Sequence, residues 1–115
     1  MSTKKQTPKN YQSIARKYPR LMAAVDALGR AAANAGPLSE KTRHLVQLGA
    51  AAAIRSEGAV HSHTRRALAA GATPEEVQHT VIAAISTIGF PNVMAALSWI
   101  NDVTGRAGRS AARGR

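Results

Sequence analysis

The chain has 115 residues, of which 44% are hydrophobic and 3% aromatic, and it carries a net charge of +10 and no cysteine. This length allows one domain with a modest core, and the missing thiols exclude disulfides, thiolate nucleophiles and thiolate metal sites. Alanine supplies much of the apolar content but buries little surface per residue. We therefore expect burial between subunits to complete the stability of the fold, in a homo-oligomer.

The positive charge lies at the two ends of the chain. Residues 1–20 carry six basic side chains, residues 105–115 carry four, and neither segment holds an acid. These ten charges equal the whole excess, so the chain between the two segments is neutral. Both ends are rich in Ser, Thr, Gly and Gln, which indicates partial disorder. We expect a basic N-terminal segment over 1–17, a helical domain over 18–104 and a basic C-terminal tail over 105–115.

The sequence shows no membrane or secretion signal. The longest nearly apolar run, residues 45–54, is interrupted by Gln47 and is too short to cross a bilayer. The charged N-terminus lacks the apolar stretch that follows it in a secretory signal. We expect a cytoplasmic protein without membrane insertion.

The first half of the chain predicts three helices. Residues 11–17 form a short helix before Pro19, and residues 20–34 form a second one. Ser39 is a candidate N-cap for the third helix, which continues to about Arg55 and which we expect to be buried on nearly all faces. The second helix has apolar residues at helical spacing: Leu21, Val25, Leu28 and Ala32.

The second half predicts three more helices. Residues 59–70 form the fourth, which Gly71 closes. Thr73-Pro74-Glu75-Glu76 combines a capping box with Pro at the first helical position, and its helix continues to Ile88 before Gly89-Phe90-Pro91 breaks it. Residues 92–104 form the last helix. Since no segment alternates with period two, we expect an all-α single domain of five or six helices. The last helix has one apolar face: Val93, Ala96, Leu97, Ile100 and Val103.

Several short pieces occur in an order that is similar to a known family. They resemble the carboxymuconolactone decarboxylase / alkylhydroperoxidase D-like family over residues 18–104. The resemblance implies a helical domain that assembles through helix packing as a trimer or a hexamer. The pieces are Tyr18-Pro19-Arg20-Leu21, Leu28-Gly29, residues 38–42, 56–63 and 66–76, Gly89-Phe90-Pro91 and Ala95-Ala96-Leu97.

This chain departs from the redox-active members at their core motif. In those members a Cys-x-x-Cys is followed by a histidine four residues after the second cysteine. The cysteine positions fall here on Ser56 and Ala59, the histidine falls on His63, and a relay glutamate falls on His44. Peroxide reduction by a dithiol needs one attacking and one resolving thiol, so the peroxidase route of the family is excluded. The lactone decarboxylases of the family use no cysteine pair, and they act on a small carboxylated lactone by moving protons.

The candidate catalytic residues are His63, His44 and His61. His63 lies between Ala59 and Ala67 on the small-residue face of its helix, where a pocket can open; otherwise it is a core or interface histidine. His44 is either a relay residue that faces His63 or a polar residue at a helix end. Two facing imidazoles would lower each other's pKa and stay mostly neutral at pH 7.

His61 has Glu57 four residues before it and Arg65 four residues after it, a spacing typical of solvated partners on a helix surface. On a helix His61 and His63 point about 200° apart, so they cannot share a metal ion within one subunit, and only a subunit interface could bring them to one. We expect no metal and no cofactor. Candidate substrate-binding residues are Arg65, Arg66 and Glu57, because arginine binds carboxylates bidentately; otherwise the arginines are surface charges.

Two functions remain open from the sequence. The first is a cysteine-free lyase similar to the lactone decarboxylases, with His63 as proton shuttle and His44 or His61 assisting. The second is a catalytically degenerate oligomeric scaffold whose basic tails bind polyanions or acidic partners without sequence preference. An enclosed cavity lined by His63 and one more polar group would favour the enzyme.

Overall fold

A computed structural model describes residues 9–113, and describes their side chains up to residue 105. This part of the chain contains six helices of nine residues or more, one four-residue helical turn and no strand, which confirms the predicted all-α class. None of these helices combines the length and the hydrophobicity that a bilayer crossing requires. The helices are α1 Lys9–Lys17, α2 Pro19–Ala33, α3 Glu40–Ala53, α4 Glu57–Ala69, α5 Pro74–Ile82, α6 Ile85–Ile88 and α7 Phe90–Arg113.

The chain forms two compact units, one ending at Pro37 and the other beginning at Leu38. The first unit contains α1 and α2, which contact each other. The Tyr11 hydroxyl of α1 donates a hydrogen bond to Asp26 Oδ1 of α2 over 3.4 Å. Neither helix contains a buried residue. The apolar positions predicted for α2 are therefore not a core of this unit.

The second unit contains α3 to α7 around a small apolar core. Helix α4 packs against α3 and α7, and α5 packs against the same two helices. Among the described residues eleven buried apolar side chains form the core, and five of them are alanines. Such a core is thin, as the composition predicted. The core residues are Leu48, Ala51, Ala52, Val60, Ala67, Ala72, Val77, Val81, Val93, Ala96 and Ile100.

Helix α3 buries one face, whereas its all-round apolar sequence predicted burial on nearly all faces. Leu48, Ala51 and Ala52 are buried in the core. Val46 is 58% exposed, and Ile54 just after the helix is 75% exposed. The chain itself therefore supplies neighbours for only one side of α3.

The boundaries around Gly89 also differ from the prediction. Helix α5 ends at Ile82, and the short α6 ends at Ile88, followed by Gly89 as its C-cap with a φ of 91°. Pro91 lies in the first turn of α7, where the missing N–H breaks no helical hydrogen bond, so it starts this helix and does not interrupt the chain. Helix α7 also extends beyond residue 104 to Arg113. Disorder was predicted for parts of both ends of the chain. Of these ends, residues 1–8 and 114–115 lie outside the described residues.

The chain turns from α3 into α4 within three residues. The N–H groups of Arg55 and Ser56 both return to carbonyl groups of α3, which is the Schellman pattern, and Arg55 has the left-handed φ of 56°. The Arg55 guanidinium also donates to Asn92 Oδ1 of α7. Ser56 then caps α4 by accepting a hydrogen bond from the Ala59 N–H. This turn fixes the start of the helix that carries most of the candidate residues.

Candidate functional site

Helix α4 carries every candidate residue except His44, which lies on α3. Successive residues of a helix are rotated by about 100°, so Glu57, His61 and Arg65 form one row along α4 and His63 faces nearly the opposite way. The structure accordingly divides the candidates into two clusters. We call His44, His63 and Arg66 the histidine pair cluster, and Glu57, His61, Arg65 and Asp102 the His61 cluster.

The rings of His44 and His63 lie next to each other, with centroids 5.7 Å apart and planes tilted by 34°. The Nδ1 atom of each ring is buried, and no residue in the described part of the chain offers it a hydrogen-bond partner. The neighbouring Gln47 side chain acts to raise the pKa of His44. The two positions that the family resemblance singled out are therefore neighbours in space.

Burial lowers the pKa of both His44 and His63 below the usual 6.5. The positive charge of the exposed Arg66 lowers the pKa of each further, and His44 adds to the effect on His63. For His44 the carboxylate of Glu40 acts in the opposite direction. Since all larger effects disfavour the imidazolium, both rings are mostly neutral at pH 7 and can accept a proton.

His61 belongs to a different environment on the far side of α4. Its Nε2 atom lies 2.9 Å from Oδ2 of Asp102 on α7. One ligand atom each from Glu57, His61 and Asp102 lies within 4.8 Å of the other two. His61 and Asp102 also line an open cleft of about 310 Å³ together with Arg65 and Val103.

The sequence placed Glu57, His61 and Arg65 in one row but missed Asp102. Asp102 is 41 residues away from His61 along the chain, and the contact depends on how α7 packs against α4. No sequence pattern around either residue predicts such a contact. The cleft beside His61 also differs from the expected cavity, which was to be lined by His63.

The residues at the two positions that hold cysteines in redox-active members have structural roles at the start of α4. Ser56 is the N-cap, and its hydroxyl accepts the Ala59 N–H. Ala59 is half-buried and packs against the core. With no cysteine anywhere in the sequence, the chain has no thiol for the peroxidase reaction.

The fold and the site define an all-helical protein with a pair of neighbouring histidines and no redox cysteines. The sequence profile of the Carboxymuconolactone decarboxylase family matches residues 19–102, and the chain therefore belongs to this family. A protein described as uncharacterised from Haemophilus influenzae is 36% identical over 59 residues, which cover 51% of this chain and 52% of that protein. The match thus spans about half the length of this relative. No solved structure matches the chain.

Proposed function

We propose that the protein is a cysteine-independent lyase that moves protons on a small carboxylated lactone through His63 and His44. The observation that carries this proposal is the pair of imidazoles with centroids 5.7 Å apart, each with a buried Nδ1 atom that no described residue engages. A buried polar atom without a partner costs free energy, and a substrate that displaces the side chains covering the two Nδ1 atoms would satisfy them.

Arg66 is the cation that we assign to the substrate carboxylate. Its charge acts on both histidines, and its side chain is exposed, so an incoming anion can reach it. Arg65 instead lines the cleft beside His61. We assign His61 and Glu57 no part in this reaction, because both lie in the His61 cluster.

The charges of the histidine pair cluster favour proton uptake by one of the two rings when an anionic substrate binds. Without an anion, burial and then the Arg66 guanidinium keep the pKa of both rings low. A bound carboxylate offsets this positive charge and so raises the pKa of the rings. Loss of CO2 from the substrate leaves an electron pair on carbon, which His63 protonates. His44 assists the transfer as the neighbouring imidazole, and Arg66 stabilises the negative charge that develops.

The proposal is tested by assaying CO2 release from carboxymuconolactone and related carboxylated lactones with purified protein. The variant His63→Gln should lower kcat by about 10²–10⁴-fold, the usual contribution of a positioned proton-transfer group. Arg66→Gln should raise KM, because it removes the carboxylate contact, and lower kcat, because it removes the charge that stabilises the transition state. His79→Gln, on the exposed side of α5, is the matched control and should keep full activity. Absence of turnover on every such lactone, or full activity in His63→Gln, would contradict the proposal.

The segregated charge supports a second candidate, an oligomeric scaffold that binds polyanions or acidic partners through its ends. All ten excess charges lie in residues 1–20 and 105–115, so an oligomer would present several basic tails together. Such binding would weaken steeply with salt, because it rests on phosphate or sulfate charge alone. Salt-dependent retention on heparin should disappear when residues 1–10 and 106–115 are deleted. Unchanged retention of the deleted protein would rule the tails out as the binding element. In both candidates we expect a cytoplasmic homo-oligomer.

A further inference from the structure

A glutamate four residues before a histidine occurs three times in the sequence, and the surroundings of one of these pairs differ from those of the other two. Three of the four histidines have a glutamate four residues before them, which places both side chains on the same face of a helix. Within the described part of the chain, only the pair on α4 has ligand atoms within 4.8 Å of those of a third side chain of metal-binding type, Asp102 of α7. The three pairs are Glu40 with His44, Glu57 with His61 and Glu75 with His79.

We propose that Glu57, His61 and Asp102 form a binding site for a divalent transition-metal ion. One imidazole nitrogen and two carboxylate oxygens are a donor set that suits Zn²⁺ and its neighbours in the first transition row. One ligand atom of each residue lies within 4.8 Å of the other two. Two atoms that both lie about 2.0–2.2 Å from one ion are at most about 4.4 Å apart, so a small rotation of the exposed Glu57 side chain completes the triangle.

The hydrogen bond between His61 and Asp102 marks the position of the ion. His61 Nε2 and Asp102 Oδ2 are 2.9 Å apart and point at each other across the space between α4 and α7. A metal ion would replace the shared proton but lie off the line between the two atoms, about 2.0–2.2 Å from each, and tetrahedral geometry would widen their separation to about 3.4 Å. The two carboxylates balance the double positive charge of the ion. The Arg65 guanidinium in the same cleft is the one opposing charge in the His61 cluster, and it disfavours the cation but not enough to cancel both acids.

Both ligand-bearing helices are held in place from their other side. Val60 of α4 and Ile100 of α7 are fully buried in the shared core, and the two helices contact each other. The ligands therefore project from packed helices, which keeps their spacing with little entropy loss on binding. The His61 and Asp102 side chains remain 24% and 44% exposed, so an ion can enter from solvent. Three protein ligands leave a fourth position open toward the cleft, beside Arg65.

The direct test is isothermal titration calorimetry of the full chain with ZnCl2 as the probe. The protein is prepared without a histidine tag and is stripped of metal with a chelator. The wild type should bind one Zn²⁺ per chain. Each of Glu57→Gln, His61→Ala and Asp102→Asn should weaken binding by at least about tenfold, the lower end of what even outer-layer partners of a metal contribute. Circular dichroism should show unchanged helix content in Glu57→Gln and Asp102→Asn, since both keep the size of the side chain.

The α5 pair supplies a matched control, because Glu75 and His79 have the same spacing and both are exposed. Glu75→Gln and His79→Ala should leave Zn²⁺ binding unchanged. The variant Asp102→His, which keeps a metal ligand at this position, should retain binding. Absence of saturable binding would overturn the proposal, and so would equal losses in the α5 variants or loss of binding in His63→Gln alone. The readout does not depend on catalysis, so it is independent of the proposed lyase activity.

Discussion

His61 and His63 are separated by one residue on α4, yet their surroundings have little in common. His61 pairs with the carboxylate of Asp102 beside an open cleft. His63 packs beside His44, and burial lowers its pKa. Thr64, the next residue, is fully buried, and its Oγ1 has no hydrogen-bond partner among the described residues. The helical rotation of about 100° per residue thus gives neighbours in sequence three separate environments.

The lowered pKa values of His44 and His63 predict that stability depends on pH. Their pKa is 6.5 in the unfolded chain and lower in the folded chain, so the unfolded state binds more protons between these values. The free energy of unfolding should therefore fall as the pH decreases through 6.5, and this contribution should level off below the folded pKa values. Urea unfolding measured between about pH 5 and pH 8 tests this expectation.

A double variant isolates the two histidines responsible for that dependence. His44→Gln combined with His63→Gln should flatten the dependence of the unfolding free energy on pH in this window. His79→Gln alters an exposed histidine and should leave it unchanged. A wild-type unfolding free energy that stays constant across the window would show that the two rings titrate normally in the folded chain.

Single residues of the site could be predicted only where a local pattern or the family resemblance pointed to them. The resemblance led to His63 and His44, which the structure places side by side. The row of Glu57 and His61 followed from helical spacing alone. Asp102 could not be found, because its approach to His61 results from the packing of α7 on α4 and has no trace in the sequence around either residue.

At the scale of helices, α3 and α4 end in the same hydrogen-bond pattern but with different residues in the left-handed position. Arg55 has a φ of 56° after α3, and Gly71 has a φ of 104° after α4. Only glycine adopts such angles without strain, and Arg55 is also held by its hydrogen bond to Asn92.

Two glycines at the opposite ends of α4 should respond in opposite ways to alanine. Gly71→Ala should destabilise the protein by about 1–2 kcal/mol, because alanine disfavours the left-handed conformation. Gly58→Ala, near the start of α4, should stabilise it by up to about 1 kcal/mol, because alanine favours the helix. An added Cβ meets no atom within 4 Å at either position, so packing does not confuse the comparison. Chemical denaturation gives both values, and equal signs would refute the assignment of Gly71 as a conformational requirement.

Helix starts could be predicted better than helix ends because their signals are local. The capping box is present as predicted: Thr73 Oγ1 accepts the Glu76 N–H at 3.0 Å, and Glu76 Oε1 accepts the Thr73 N–H at 2.9 Å. Pro91 shows the limit of such reasoning, since proline either interrupts a helix or occupies its first turn. Whether Pro91 interrupts a helix or begins one depends on where the preceding helix ends. The sequence of residues 83–91 alone does not predict that end.

The molecule as a whole has few large side chains with which to form a core. Five of the eleven buried apolar residues in the described part of the chain are alanines, while Val46, Phe90 and Met94 are 58%, 62% and 47% exposed. Large apolar side chains on the surface of so small a protein are the kind that subunit contacts cover.

We expect the protein to assemble as a trimer or a hexamer in solution. Burial of the exposed apolar side chains between copies would add the stability that the alanine-rich core lacks. Native mass spectrometry over a range of concentrations should show three or six chains per particle. Val46→Lys, on the exposed side of α3, should leave the helix content intact, so that any loss of assembly in this variant can be assigned to the surface of α3. A monomer mass at every concentration would refute the expectation.

The placement of two clusters on opposite sides of α4 makes both depend on a single helical register. A substitution in one cluster removes that cluster and leaves the other intact, since they share no side chain. A single residue inserted between Gly58 and His61 would instead turn the downstream part of α4 by about 100°. It would separate His63 from His44 and His61 from Asp102 in one step. The length of α4 before His61 is therefore under a double constraint, although residue identity at each cluster can vary independently.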